Sequence, residues 1–396
     1  MDTICDMEKC TGCSACLNCC PKDAIEMVEN TLGFLYPKTD NSRCVDCELC
    51  RKICPVNFPT PKIYPLETFA AYSVDPEDRL TSTSGGVASV FSRFVLSQNG
   101  VVYGCSGKNI EHVEHVRIDK QAELNQLKGS KYVQSKTGLL FRKVKSDLKA
   151  GFLTLFIGTP CQVAGIKSFL GKEYNNLITV DLVCHGVPSQ KLLNESIVKY
   201  KKHTDFSGIS FRKKDLKLKQ DKFGLYLYNL EKKEVITVDY PDDNYFTGFN
   251  NGLFYRTSCY LCQYAYPERC SEITIGDFWG LGKYGNTSIT EKYLGVTEIL
   301  INTNKGRDFV DSCKSKLFLE KRPTKEAVEG NGQLIKPSKK HKNSDLFKKL
   351  YVEKGFDEAC NVCLKDDRKA IRKQRRNQII KKIPFVYNFY KFVKKK

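Results

Sequence analysis

Two short cysteine runs decide what the first 55 residues can become. The first is Cys10-x-x-Cys13-x-x-Cys16-x-x-x-Cys20-Pro21, and the second is Cys44-x-x-Cys47-x-x-Cys50-x-x-x-Cys54-Pro55. Ten of the 19 cysteines lie before residue 55, spaced too tightly for a disulfide framework, and the total is odd. A chain of 396 residues has ample length for a buried core and does not need disulfides. Thiols repeated at this spacing read as metal ligands in a reducing compartment.

Each run fits the bacterial ferredoxin pattern, in which three thiolates wrap one face of a cubane and the fourth cysteine serves the opposite cluster. Carried over from that motif, Cys10, Cys13, Cys16 and Cys54 hold one [4Fe–4S] cluster, and Cys44, Cys47, Cys50 and Cys20 hold the other. Zinc is the alternative, because C-x-x-C pairs are also zinc spacing. Zinc needs four ligands in all and has no use for a third cysteine plus Cys-Pro in each half. Cys5 and Cys19 read as bystanders, and Ala24 to Val28 as a short strand.

The net charge of +19 is concentrated at one end. Arg368 to Lys396 holds 12 basic residues and no acid, leaving 52 basic against 45 acidic residues, a net of +7, for the rest. A basic tail suggests a tether and not a polyanion groove. The N-terminus lacks a basic-then-apolar leader, and no apolar run approaches the ~18 residues of a spanning helix. The expectation is a cytoplasmic protein, with a possible peripheral position at the inner face of the membrane.

After the proline-rich stretch 57–65 the hydrophobic period alternates between strand and helix. Phe69–Val74, Val101–Tyr103, Phe152–Ile157 and Leu177–Val183 read as strands, and Gly86–Ser97, Leu139–Leu148 and Pro160–Leu170 as helices. That alternation predicts an α/β domain with a parallel or mixed sheet, and residues 205–240 predict an added antiparallel portion. Cys161 stands at a strand end where a helix begins, Cys184 ends the next strand, and Cys259-x-x-Cys262 follows in a loop. Together they could converge on one cluster. Read alone, a strand-end cysteine is a buried small hydrophobe, and Cys161 at a helix start could be a reactive nucleophile.

Five islands occur in order: Thr81-Ser82-Thr83-Ser84-Gly85-Gly86, Lys128 to Ser135, Gly158-Thr159-Pro160-Cys161-Gln162, Cys184-His185-Gly186-Val187-Pro188-Ser189, and Cys259-x-x-Cys262 followed by Gly276-Asp277-Phe278-Trp279-Gly280. From about Phe69 to about Thr303 the chain resembles the coenzyme F420 hydrogenase/dehydrogenase beta-subunit family, with a dicluster ferredoxin domain in front. The resemblance implies FAD, a flavin-proximal [4Fe–4S] cluster on Cys161, Cys184, Cys259 and Cys262, and electron exchange with a hydride-type substrate. It implies that Ser84, Gly85 and Gly86 approach the FAD pyrophosphate. Gly129, Ser130, Lys131, Tyr132, Gln134 and Ser135 would line the rest of the pocket. Without the family, the first island is a capped helix start and the second a surface turn. His185 is a candidate for proton transfer, against the plainer reading of a structural histidine. Asp277 and Trp279 read as buried residues organising the loop under the flavin or cluster.

Cys360-x-x-Cys363 has no partner run and reads as a helix face or loop. The basic helical stretch Arg368–Lys382 and the aromatic segment Ile383–Val393 suit either weak contact with an anionic membrane surface or a solvated tail; no nucleic-acid motif accompanies them. The expected architecture is an α+β ferredoxin-like dicluster domain over 1–60, an α/β mixed-sheet flavin- and [4Fe–4S]-binding domain over 61–345, and a basic helical tail over 346–396. The expected function is that of an iron–sulfur flavoprotein oxidoreductase served by a redox partner protein or ferredoxin and a small-molecule hydride donor or acceptor. The alternatives are a ferredoxin-linked reductase of surface-polysaccharide synthesis and a non-catalytic electron-transfer subunit.

Overall fold

The computed structural model describes residues 3–382. The aromatic segment Ile383–Val393 lies outside them. The N-terminal unit is built from very short elements: the helices Ala15–Cys19 and Leu49–Lys52, and an antiparallel hairpin of β1 (Ile25–Glu29) and β2 (Leu35–Thr39). Both helices are too short to stand alone in water. Their interior is largely sulfur, with Cys5, Cys10, Cys16, Cys50 and Cys54 packed around Ile4 and Ile25.

The body is a mixed eight-stranded sheet. Its strands are β3 (Glu67–Ser73), β4 (Val101–Ser106), β5 (Glu114–Ile118), β6 (Thr154–Gly158), β7 (Leu177–Leu182), β11 (Ile273–Asp277), β12 (Thr297–Ile301) and β13 (Leu317–Lys321). The three remaining strands, β8 (Gly208–Asp215), β9 (Gln220–Tyr228) and β10 (Glu234–Asp239), form a separate antiparallel sheet in the order 10-9-8. The large sheet runs 13-3-12-11-7-6-4-5. Strands β4, β6, β7 and β11 are parallel, and antiparallel strands flank them on both sides. The carboxyl ends of parallel strands are where such sheets present functional loops, and Cys161 and Cys184 follow β6 and β7 there.

One sheet face packs Val87, Val90, Phe91 and Val95 of the helix Val87–Ser97 against Phe309 and Val310 of the helix Asn304–Cys313. The opposite face carries the helices Leu140–Lys149 and Pro160–Leu170, whose Phe141, Val144, Val163 and Ile166 share a core with Cys13 and Ala15 of the N-terminal unit. The N-terminal unit therefore docks on the sheet face that carries the Cys161 helix. A third core joins β8 and β9 to the helices Gln190–Lys201, Asn244–Asn250, Ser344–Lys354 and Phe356–Cys363.

That third core extends past residue 346. Phe347, Phe356, Ala359, Cys360 and Leu364 are all buried, so the basic tail begins only at the helix Lys365–Lys382. Cys360 and Cys363 are core residues of a helix. Among the described residues no helix is long and apolar enough to cross a membrane.

Candidate iron–sulfur and flavin site

Two hollows in the N-terminal unit separate the eight motif cysteines into two sets of four. Cys10, Cys13, Cys16 and Cys54 line one, and Cys20, Cys44, Cys47 and Cys50 line the other. Each set combines three cysteines of one run with the last of the other. Cys5 lines the first hollow and packs with Cys10 and Cys54, a contact that its isolated position in the sequence did not signal. Burial pushes the Cys13 thiol up to about 12, and neighbouring cysteine charges add to the shift. Cys16 is raised for the same reasons. Packed thiolates repel one another in a dry site, and iron would relieve that repulsion, so the donor set suits a cluster. Among the described residues no three His, Cys, Asp or Glu side chains close around a single ion.

The third set is assembled by the body. Pro160 opens the helix Pro160–Leu170, and Thr159 and Gln162 form a capping box that fixes its first turn. Cys161 sits in that turn, with its Sγ 3.2 Å from the Thr159 hydroxyl. Cys184 follows β7, Cys259 lies in the 3₁₀ turn Thr257–Leu261, and Cys262 ends that turn. Burial raises the Cys161 thiol to about 11 and the Cys184 thiol to about 12. Cys259 is raised first by burial and then by the charges of Cys184, Cys262 and Cys161, so the four thiols share one environment. Arg269 ties the set together: it pairs with buried Asp181 at 3.1 Å and donates to the carbonyls of Leu182 and Tyr264. The Cys270 thiol instead points toward the Pro160 carbonyl (3.8 Å), on the side of Asp181 and Lys167.

The first and third sets approach closely. A Cβ on Gly165 would lie 2.8 Å from Cys13 Cβ and 3.0 Å from its Sγ, so only glycine lets the dicluster unit sit this near Cys161. Buried Tyr264 packs in the same core as Cys13, Cys161, Cys262 and Cys270, and so adjoins both sets.

The residues expected at the flavin fall into separate groups. Ser84 donates to the Val296 carbonyl (3.1 Å), and the Gly85 N–H is already taken by Thr297 Oγ1 (2.9 Å). Gly86 caps the helix Val87–Ser97, and the Ser130 N–H reaches the same island through Thr83 Oγ1 (2.9 Å). Gly129 has open space beside it. Lys131 is directed inward: its Nζ donates to the carbonyls of Cys105, Leu127 and Lys128, and burial lowers its ammonium to about 8. Tyr132 stacks on Phe249 at 4.5 Å. Gln134 donates to the Thr11 carbonyl (2.9 Å), and Ser135 pairs with His115 Nδ1 (2.8 Å), so both knit the interior together. His185 has an exposed side chain, yet the protein packed around it partly desolvates the imidazole and lowers its pKa, while Asp277 opposes the shift.

Between these groups lie Arg212, Asp221 and Lys214, which sequence patterns did not single out. Arg212 donates to Asp277 (2.7 Å) and Asp221 (2.6 Å), and its guanidinium lies 5.4 Å from the Trp279 ring. Trp279 is 54% exposed, which corrects the expectation of a buried residue. Arg212 Nε, Asp221 Oδ1 and Asp277 Oδ1 are buried without a partner, leaving polar valences for a bound group. Lys214 Nζ donates to the Ser84 carbonyl (3.2 Å). Arg212 and Lys214 are two apart on β8, so strand alternation puts both on one face.

Residues 9–58 match the family model of the 4Fe-4S dicluster domain, and residues 153–327 match that of the C terminus of the coenzyme F420 hydrogenase/dehydrogenase beta subunit. The class defined by this fold and these cysteines is an iron–sulfur redox protein with a dicluster unit docked on a mixed α/β domain. The chain thus carries the C-terminal domain of the coenzyme F420 hydrogenase/dehydrogenase beta subunit, with a 4Fe-4S dicluster domain at its N-terminus. Shorter likenesses join it to ferredoxins. It is 35% identical over 57 residues to a ferredoxin of Methanocaldococcus jannaschii, a match over 14% of this chain and 73% of that one. It is 39% identical over 57 residues, 12% of this chain, to a polyferredoxin-like protein of the same organism, spanning only 34% of that relative's length. Among solved structures, a chain of the F420-reducing [NiFe] hydrogenase complex from Methanosarcina barkeri aligns with a TM-score of 0.47 at 15% identity, covering 73% of this chain and 94% of that one.

Proposed function

We propose that the chain is an iron–sulfur flavoprotein oxidoreductase that passes electrons between ferredoxin-type clusters and a hydride-type substrate. Cys10, Cys13, Cys16 and Cys54 would hold one [4Fe–4S] cluster, and Cys20, Cys44, Cys47 and Cys50 a second. Cys161, Cys184, Cys259 and Cys262 would hold a third. FAD would occupy the region bounded by Ser84, Ser130, Tyr132, Arg212 and Trp279. Bound there, the clusters supply one-electron steps and the flavin joins two of them into a hydride equivalent.

The protein's own contribution is positioning. Cys47 is exposed with Val45 and Leu49 beside it, an edge suited to a one-electron partner. The Cys13 set is closed to solvent and abuts the Cys161 helix. Lys214, held at the Ser84 carbonyl, can face phosphate charge, while Arg212 and Asp277 can orient ring heteroatoms with their free valences. The observation that supports the reading most is the contact of Cys13 with Gly165, one helical turn after Cys161.

Anaerobic reconstitution followed by iron, sulfide and flavin analysis tests the proposal. The expected yield is about 12 irons and one FAD per chain, by the four-cysteine rule. Finding about eight irons and no flavin would reject the third set and the flavin while leaving the dicluster unit intact.

A further inference from the structure

Among the described residues Arg256 is the largest fully buried side chain, at 1% exposure, and no carboxylate of theirs lies within ion-pair distance of it. Its Nε donates to the Cys10 carbonyl (2.7 Å), and its Nη2 lies 3.5 Å from Cys10 Sγ. Nη1 reaches Gln134 Oε1 (3.3 Å), and the guanidinium plane lies over Tyr36, 4.1 Å from the ring centroid. The backbone of the same residue serves the other side. Its N–H donates to the Val187 carbonyl, just past Cys184, and its carbonyl receives the Cys259 N–H (2.9 Å). One residue thus spans the first and third cysteine sets.

An unpaired guanidinium in a dry interior is costly and calls for an anion. The Arg256 charge also reaches Cys161, but among the described residues only Cys10 has its sulfur within hydrogen-bond distance of a buried guanidinium free of any carboxylate. Arg269 beside Cys184 and Cys262 is neutralised by Asp181, while Arg43 and Arg51 flank the second run at the surface, paired with Asp40 and Glu48. The anion that fits is the thiolate-bound cluster at Cys10. Reduction adds one negative charge to a cluster, and a buried cation donating to a ligand sulfur favours the reduced form.

We propose that Arg256 is a positioning residue that makes the Cys10/Cys13/Cys16/Cys54 cluster the first of the three to be reduced. Electrons entering from a one-electron donor would then pause at the centre of the molecule, next to the Cys161 set. This inference rests on the reading of those cysteines as cluster ligands.

The test is a potentiometric titration of the reconstituted full-length chain followed by EPR. In Arg256→Gln one midpoint should fall by at least tenfold in the reduction equilibrium, about 59 mV for one electron, with a smaller fall at the Cys161 set and none at the Cys20/Cys44/Cys47/Cys50 set. Arg256→Lys, which keeps the charge, should recover most of the shift. In the unaltered protein labelled with ¹⁵N-arginine, poised so that only the first cluster is reduced, pulsed EPR should show a ¹⁵N coupling; this readout stands even if the glutamine variant fails to hold iron. Unmoved midpoints at full iron content, or no ¹⁵N coupling, would overturn the inference alone. A wild-type chain that takes up no iron would overturn the cysteine assignment beneath it.

Discussion

The N-terminal unit and the body bury their interiors by different means. In the first, cysteine provides most of the core, and helices of four and five residues connect it. In the second, an eight-stranded sheet is covered on both faces by aliphatic and aromatic side chains, and cysteines 161, 184, 259 and 262 are placed at its rim. Iron in the first region would be part of what folds, because the thiols have little other reason to adopt one arrangement. Iron in the second would be a guest in a frame that hydrophobic burial already holds.

The sharpest way to break this contrast is to remove one ligand from each region. Cys16→Ser should cost about four of about 12 irons and leave residues 1–60 open to limited proteolysis. Cys184→Ser should cost the same iron while the proteolytic pattern and the main unfolding transition remain those of the parent. Equal protease resistance in the two variants would show that the dicluster unit folds without its metal.

Local signals made the parts legible, and distance hid the joints. The helix Pro160–Leu170 follows from a proline at its first position, an N-capping threonine and a C-terminal glycine, all within a short stretch of chain. The strand assignments across 69–183 follow similarly from short apolar runs. Arg142, Arg256 and Gly165 carried no such signal, because their partners Asn18, Cys10 and Cys13 lie more than 100 residues away in sequence. The helix Ser344–Lys354 is hidden by its lysines and Phe356–Cys363 by its shortness, although Phe347, Phe356 and Cys360 face a core. Trp279 follows the end of β11, beyond the sheet's cover, and lies beside Arg212 with half its surface in water.

A body that stands on its own packing should respond to its own buried charges. Glu272 accepts from the Thr179 N–H (2.7 Å) and from Lys167 Nζ (2.9 Å), fastening β7 to β11 and to the Cys161 helix. Burial opposes its charge, yet Lys167, Lys305 and Thr179 outweigh burial and hold the carboxyl below its ordinary value. The stabilisation is therefore complete above the ordinary pKa of 4.5 and is lost as pH falls through the lowered value. Glu272→Gln should cost the body about 3 kcal/mol in urea unfolding at neutral pH, with a smaller penalty in acid. A penalty that grows on acidification would contradict the charge pairing.

The contact between the regions should be less costly to disturb than either interior. Gly165→Ala forces a methyl group against Cys13, and overpacking of this kind costs about 1–3 kcal/mol. The loss should appear as earlier proteolysis of residues 1–60, with the body's transition lowered less. A fully parental protease pattern would mean that the helix and the cysteine run part without strain.

The smallest expected effect belongs to Arg142, and it measures how separable the two regions are. Its Nε donates to the Asn18 carbonyl (2.9 Å), and its Nη2 to the Cys20 carbonyl (3.0 Å) and to Asp23 (2.7 Å). The Asp23 side chain is 67% exposed, so that pair is screened and contributes little. The carbonyl bonds matter more, but water can reach that edge once the guanidinium is gone. Arg142→Ala should therefore weaken docking by about 1–2 kcal/mol, read as faster proteolysis or hydrogen exchange in residues 1–60. Because carbonyl bonds dominate, added salt should barely change the difference, and Arg142→Lys, which keeps the charge but loses the planar fork, should behave more like alanine than like arginine. If instead the exchange rates of both regions rise together, the two interiors unfold as one cooperative unit, and the sulfur core is held by the sheet and not by its metal.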